Sequence, residues 1–289
     1  MTTAPPQKAD RTIAVFLLAA TALLWSFGGV LIKWIPWNPL AIAGARSLIA
    51  LPLLLIVFGK NRFTWSWAQI GGALAYAATV MLFVAATKLT TAANAILLQY
   101  TAPFYVAIFS YAFLKEPVHW FDWIAILTAG GGMVLFFLDK LAAGMAWGNA
   151  VAILSGIAFA CMILCLRKQK DGNPLTSVIL GNALTGLLCL PFMTQSFPPL
   201  SGWIGLVLLG VFQIGLSYIL YSRAIRHVTA MEAILIPVIE PVLNPLWVAW
   251  CLGEKPGRFA VFGGTVVVGS VLARSIVSIL RDPRIRIKG

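Results

Sequence analysis

A chain of 289 residues that is 60% hydrophobic and only 10% charged cannot hide its apolar residues in one water-excluding core, since soluble domains carry about 25% charged residues. With a mean hydropathy of +0.91, most of it must have a lipid bilayer as its solvent. The net charge of +12 does not indicate nucleic acid, because the basic residues are scattered over short connections and a brief tail, with no nucleic-acid module.

Residues 1–12 form a polar lead in which Lys8 and Arg11 precede the first apolar run. That run, 13–32, is longer than a signal-peptide core and reads as a first membrane span. Nine more follow at 38–58, 67–87, 92–114, 120–138, 146–166, 174–194, 201–222, 230–252 and 258–280. Each has about 19–23 residues, or roughly 29–35 Å of helix, which matches the hydrocarbon thickness. The chain closes on a basic tail, 281–289, whose Arg281, Arg284, Arg286 and Lys288 suit anionic lipid headgroups. The fold class expected is an all-α integral membrane protein with ten transmembrane helices.

Lysines and arginines orient the spans. With the N-terminus in the cytoplasm, inside segments hold 14 of the 21 basic residues and outside loops hold 5, with Arg46 and Arg274 within spans. The positive-inside rule therefore places both termini in the cytoplasm.

Residues 91–116 and 229–254 are one segment written twice, 138 positions apart. Thr91, Ala92, Ala95, Ile96, Leu97, Pro103, Leu114 and Glu116 reappear without a gap as Thr229, Ala230, Ala233, Ile234, Leu235, Pro241, Leu252 and Glu254. Five spans per half reverse the direction of insertion, so the two halves, 13–142 and 143–280, are expected to be inverted repeats around a central cavity. Such halves can exchange conformations and move a solute by alternating access.

The segments LTTAANAILLQYTAPFYVAIFSYAFLKEPV and VTAMEAILIPVIEPVLNPLWVAWCLGEKP resemble the paired EamA segments of the drug/metabolite transporter superfamily. Each has a small-residue helix start, a mid-helix proline and a closing Leu-x-Glu. The resemblance covers essentially the whole chain. It implies ten helices, cytoplasmic termini and export of small metabolites, with general similarity to bacterial aromatic amino acid exporters of the inner membrane. One departure is that Ala102-Pro103 stands where the second copy has Glu240-Pro241.

Prolines 103, 237, 241 and 245 cannot donate backbone hydrogen bonds, and so free the carbonyls of residues 99, 233, 237 and 241. Lipid cannot satisfy these carbonyls, which points them into a cavity. Helical spacing collects Gln213, Ser217 and Tyr221 on one face of span 8, and Glu240, Asn244 and Trp247 on one face of span 9. Span 4 offers Tyr100, Phe104 and Tyr111 with Gln99 beside them. Tyr76 and Met81 of span 3 and Trp25 of span 1 extend the lining. Interhelical hydrogen bonding is the alternative role for each polar residue. An aromatic cavity with few charges suits a neutral or zwitterionic solute with an apolar side chain.

Glu240 and Arg46 both fall near the midplane, where a charge is expensive. Either they pair, or Glu240 holds a substrate ammonium or a coupling proton while Arg46 attracts a carboxylate. Arg274 is expected to snorkel to the interface. Glu116 and Glu254 are expected to interact with the N-termini of the helices that follow them. Gly130–Gly132, Gly263, Gly264 and Gly269 mark close helix packing or a homodimer face.

The chemistry of an enzyme is missing. Cys161 and Cys165 share a helix face without a histidine or carboxylate, His119 and His227 lie in loops, and no nucleotide-binding motif occurs. The expectation is therefore a secondary transporter without catalytic residues, metal or cofactor. Its partners are the bilayer and a small-molecule substrate, aromatic or broadly neutral amino acids, with nucleobases or other metabolites and drugs as the alternative. A channel would need a charged ring or filter loop.

Overall fold

The computed structural model describes residues 8–59, 62–137, 145–243, 247 and 258–280, and all regular structure among them is helical. In order come α1 (Lys8–Trp25), α2 (Gly28–Trp34), α3 (Pro39–Phe58), α4 (Trp67–Leu89), α5 (Ala92–Gln99), α6 (Ala102–Leu114) and α7 (Trp120–Phe137). The second half has α8 (Ala146–Lys168), α9 (Leu175–Met193), α10 (Leu200–Leu208), a π-helical stretch Leu209–Leu216, α11 (Ser217–Ala224), α12 (Ala230–Leu235), a 3-10 turn Ile236–Ile239, and a last helix, α13 (Arg258–Leu280). Among the described residues, eight stretches are long and apolar enough to cross a membrane, and Trp120–Leu135 is a shorter apolar helix. The chain is a multi-pass membrane protein; the expected span 230–252 lies partly outside the described residues.

Helix starts follow local chemistry. Asn38 caps α3 ahead of Pro39, and Ser66 caps α4. The duplicated threonines do the same job in both copies. Thr91 Oγ1 accepts from Asn94 N at 3.0 Å, and Thr229 Oγ1 accepts from Glu232 N at 3.2 Å within a full capping box.

Three spans are broken, two of them where the sequence places proline. Span 4 stops at Gln99 and restarts at Ala102, with Pro103 in the new helix's first turn, where its missing N–H costs nothing. Span 9 stops at Leu235, and Pro237 opens the 3-10 turn. The first span also divides, at Ser26–Phe27, where no proline announces it; the pair Gly28-Gly29 follows, and Ser26 Oγ donates back to the Leu23 carbonyl at 2.6 Å.

Packing repeats itself between the halves. Helix α4 packs on α8, as α11 packs on α1; α4 also packs on α9, as the π-helical stretch packs on α3. Helices α5 and α6 lie on α8, as the 3-10 turn lies on α1, while α3 meets α9 and α7 meets α13. The buried residues form one core running through both halves.

Charges gather at the end where α1 begins. Arg274 does not snorkel: it is 5% exposed, with Nε donating to Asp122 Oδ1 at 2.8 Å and Nη1 3.4 Å from Glu232 Oε1. Low dielectric and two carboxylates hold it inside, since leaving would strand both acids. Glu116 does not serve the helix after it. It pairs with Arg167 Nε at 2.7 Å and accepts from Ala230 N, at the start of α12, at 2.9 Å. The orphan N–H groups of that helix are what draw the carboxylate. Glu254 and the basic tail lie outside the described residues.

Of the glycines at the α7–α13 contact, Gly132 is where the helices touch. A Cβ there would lie 3.0 Å from the Gly263 carbonyl and from Val266 and Val267, whereas at Gly131 nothing lies within 4 Å. Gly132→Leu is therefore expected to destabilise the protein by about 1–3 kcal/mol through overpacking. Gly131→Leu should stay within about 0.5 kcal/mol. Thermal unfolding of the two variants in detergent checks the contrast.

Candidate functional site

The three broken segments and the π-helical stretch meet in the interior, and a cavity of about 40 Å³ lies between them. It is lined by Trp25, Arg46, Thr79, Val80, Phe83, Gln99, Phe159, Gln213, Ile214, Tyr218 and Glu240. A few water molecules fill that volume, so an organic solute requires the walls to part.

Arg46 is the central charge. It is 1% exposed; Nη1 donates to Gln213 Oε1 at 3.0 Å and Nη2 to the Val80 carbonyl at 3.4 Å. Its Nε has no hydrogen-bond partner among the described residues. Close contact between the backbones brings the pair together, because a Cβ on Gly210 would lie 2.9 Å from the Arg46 carbonyl. Pairing of Arg46 with Glu240, one of the two expectations, does not occur. Both line the cavity, but no ion pair joins them.

Glu240 is instead held by Tyr100, whose hydroxyl lies 2.6 Å from Glu240 Oε2 and 2.8 Å from the Pro237 carbonyl oxygen. A phenol has one hydrogen, and a carbonyl can only accept. With a proton on Glu240, the carboxyl donates to Tyr100 and Tyr100 donates to Pro237. Without it, Tyr100 can donate to only one of the two, and the Pro237 carbonyl keeps the backbone bond it also accepts from the Glu240 N–H. The triad can thus store a proton at Glu240 Oε2 and register its loss.

Two of the carbonyls freed by proline, those of Ala233 and Pro237, are met by protein side chains. Tyr221 donates to the Ala233 carbonyl at 3.2 Å, and Tyr100 reaches that of Pro237. Tyr221 and Tyr100 therefore back the site rather than line it. The same holds for Tyr76, whose hydroxyl accepts from Asn182 Nδ2 at 2.9 Å, while Met81 packs half-buried against the core. Gln99 does line the cavity and donates to Ser155 Oγ at 2.7 Å. Pro103 and Pro241 are buried at the breaks, and Asn244 and Pro245 lie outside the described residues. Trp247 donates to Ser26 Oγ at 2.8 Å and stacks on Phe27, bracing the break after α1. Phe104 and Tyr111 are 45% and 63% exposed on the outer surface, so the stripe expected on span 4 does not hold beyond Tyr100. The break at Tyr100–Thr101 resets the helix face.

Span 8 shows why a 3.6-residue reading misplaces one residue. The π-helical stretch spaces a face at i, i+5, so Gln213 and Tyr218 share the lining. Ser217, the i+4 residue, sits behind them, accepting from Trp25 Nε1 at 2.9 Å and donating to the Gln213 carbonyl at 2.5 Å. Trp25 then lies 5.2 Å from Tyr218 and 5.8 Å from Phe159, ring centre to ring centre, which gives the cavity an aromatic wall opposite the amides. Tyr218, Phe159, Phe83, Thr79, Val80 and Ile214 escaped sequence reasoning. Five are unremarkable residues of apolar spans, and Tyr218 falls off the α-helical stripe. Among the described residues no group of acids, histidines and cysteines forms a metal site.

A model of the EamA-like transporter family matches residues 12–138 and again 146–275. An uncharacterized transporter of Archaeoglobus fulgidus is 24% identical over 88% of this chain and 94% of its own. Another from that organism is 26% identical over 67% of this chain and 71% of its own. The uncharacterized transporter YdfC of Bacillus subtilis is 26% identical over 69% of this chain and 68% of its own. A solved crystal structure superposes with a TM-score of 0.78, covering 92% of this chain and 98% of that one at 18% identity, a likeness of fold alone.

Tyr100→Phe keeps the ring and removes the hydroxyl that bridges Glu240 Oε2 and the Pro237 carbonyl, leaving that carbonyl its bond from the Glu240 N–H. Leaving the buried Glu240 carboxyl without this partner is expected to cost about 1–3 kcal/mol. Chemical or thermal unfolding in detergent reads this directly, and a neutral outcome would mean that another group satisfies Glu240.

Proposed function

Because the chain belongs to the EamA-like transporter family, we propose that it is a secondary transporter of small organic solutes working by alternating access, and specifically an amino acid exporter. The membrane-transporter part rests on the family and on relatives themselves named as transporters. The amino acid part rests on one observation above all: Arg46 is a buried cation lining the cavity with only neutral partners and an unserved Nε. A guanidinium out of water demands an anion, and in a transporter the substrate supplies it. A carboxylate fits the fork of a single arginine. Glu240, on the same cavity, offers the opposite charge for an ammonium group, and the Trp25, Phe159 and Tyr218 rings receive an apolar side chain. A sugar phosphate, with its greater charge, would call for more than one buried arginine.

The two five-helix halves are read as inverted repeats, 13–142 and 143–280, with both termini on the cytoplasmic side of a bacterial inner membrane. Three features support that reading: the duplicated segment, the two separate family matches, and a packing pattern that maps onto itself when the halves are exchanged. Rocking the halves enlarges the contracted cavity towards one side at a time. A proton exchanged at Glu240 would supply the coupling, because its loss unmakes the Tyr100–Pro237 arrangement that holds the broken helix.

Proteoliposomes loaded with labelled amino acids, amines, nucleobases and sugar phosphates test this reading. Saturable flux of amino acids is expected, stimulated by a proton gradient. Arg46→Gln should lower kcat/KM for amino acids about 10- to 100-fold, the loss of a hydrogen bond to a charged group, and spare amines that lack a carboxylate. Glu240→Gln should abolish the response to the proton gradient. Saturable flux of only nucleobases or sugar phosphates would overturn the amino acid assignment.

A further inference from the structure

We propose that four residues form two matched latches, one at each end of the molecule, and that their unequal chemistry sets which side of the transporter rests open. The proposal rests on the alternating-access reading and adds what holds its two states. Asn94 is the third residue of α5 and Glu232 the third of α12, each behind its capping threonine. Arg11 is the fourth residue of α1 and Asn149 the fourth of α8. The offset of 138 that relates the halves carries Arg11 onto Asn149 and Asn94 onto Glu232.

The contacts obey the same exchange. Arg11 pairs with Glu232, and Asn94 Nδ2 donates to Asn149 Oδ1 at 3.1 Å. Exchanging the halves converts one contact into the other, although the first joins residues 221 apart in sequence and the second residues 55 apart. Each contact ties the start of one half's first helix to the short helix that precedes the other half's break. Those short helices, α5 and α12, are the pieces that proline has uncoupled from the rest of their spans, so they can swing without dragging a whole helix. Both latches are closed here, which agrees with a cavity too small for a metabolite.

The latches differ in strength. The Arg11–Glu232 contact is an ion pair reinforced by Ser278, which lies 2.9 Å from Arg11 Nη2, and by Arg274 at 3.4 Å from the same carboxylate oxygen. The Asn94–Asn149 contact is a neutral amide pair joined by Thr90 Oγ1 at 3.1 Å from Asn149 Oδ1. Charge-assisted hydrogen bonds are roughly twice as strong as neutral ones. The amide end therefore opens more readily, and the resting population is exposed there. With the α1 end in the cytoplasm, that is exposure to the outside, from which an exporter must return to collect its load.

The test needs no substrate, so its outcome is independent of whether the amino acid assignment holds. In full-length protein with its four cysteines replaced by alanine, a reporter Thr79→Cys in the cavity is labelled by a membrane-impermeant thiol reagent applied to either face of oriented vesicles. Arg11→Asn with Glu232→Asn, which copies the amide latch onto the charged end, is expected to raise labelling from the α1 end several-fold and lower it from the other. Asn94→Glu with Asn149→Arg, the reciprocal exchange, should shift labelling the opposite way, and it carries the test if the first pair fails to fold. Unchanged labelling from both faces would overturn the proposal. So would a rise from both faces at once, which is what plain loosening of the structure produces.

Discussion

A backbone carbonyl that loses its helical partner inside a membrane has to find another donor, and the interior of this protein is organised around that demand. Proline breaks span 9 near its middle, and the carbonyls it frees at Ala233 and Pro237 are met by the hydroxyls of Tyr221 and Tyr100. These tyrosines come from opposite halves. The span 9 break is consequently held from both halves, by Tyr221 from 12 residues away and by Tyr100 from 137, and it positions Glu240 beside the hydroxyl that reaches Pro237. Backbone satisfaction and the placing of the interior acid are one arrangement, which is why a proton at Glu240 has a structural consequence.

The second constraint is Arg46. Buried charges in folded proteins are ordinarily answered by an acid, as Arg274 is answered by Asp122 and Glu232, and Arg167 by Glu116. Arg46 is answered by an amide oxygen and a carbonyl oxygen instead. Two solutions to the same problem therefore coexist in one chain. Where an arginine ties helices together, acids surround it; where it faces the cavity, its hydrogen-bond partners are neutral.

Much of the frame was legible from hydropathy. The expected span 258–280 is α13 to the residue, and 38–58 and 146–166 agree with α3 and α8 within two. The breaks in spans 4 and 9 followed from their prolines. What escaped has physical reasons. The break after Trp25 is held by Ser26 and by the distant Trp247, so nothing local announces it. The π-helical stretch adds a residue to its turn, which moves Tyr218 into the lining where an α-helical count selects Ser217. Arg274 was expected at the interface because its acids arrive from other spans, with Asp122 152 residues away. Helical periodicity reports which residues share a face. It does not report which tyrosine will meet which carbonyl.

The two halves resemble each other most where they build helices and least where they handle charge. The capping threonines, the small residues after them and the helix packing all recur. Arg46, Gln213 and Glu240 have Leu184, Ala75 and Ala102 at the corresponding positions, so the cavity is polar through contributions that the duplication does not repeat. Perfect symmetry would make the two end states equal in energy and the solute's surroundings identical from either side. In a transporter of that kind, divergence at a few positions is sufficient to break the equality. On the alternating-access reading proposed above, the duplicated frame provides the two conformations, and the unduplicated charges bear on what is carried and which conformation waits for it.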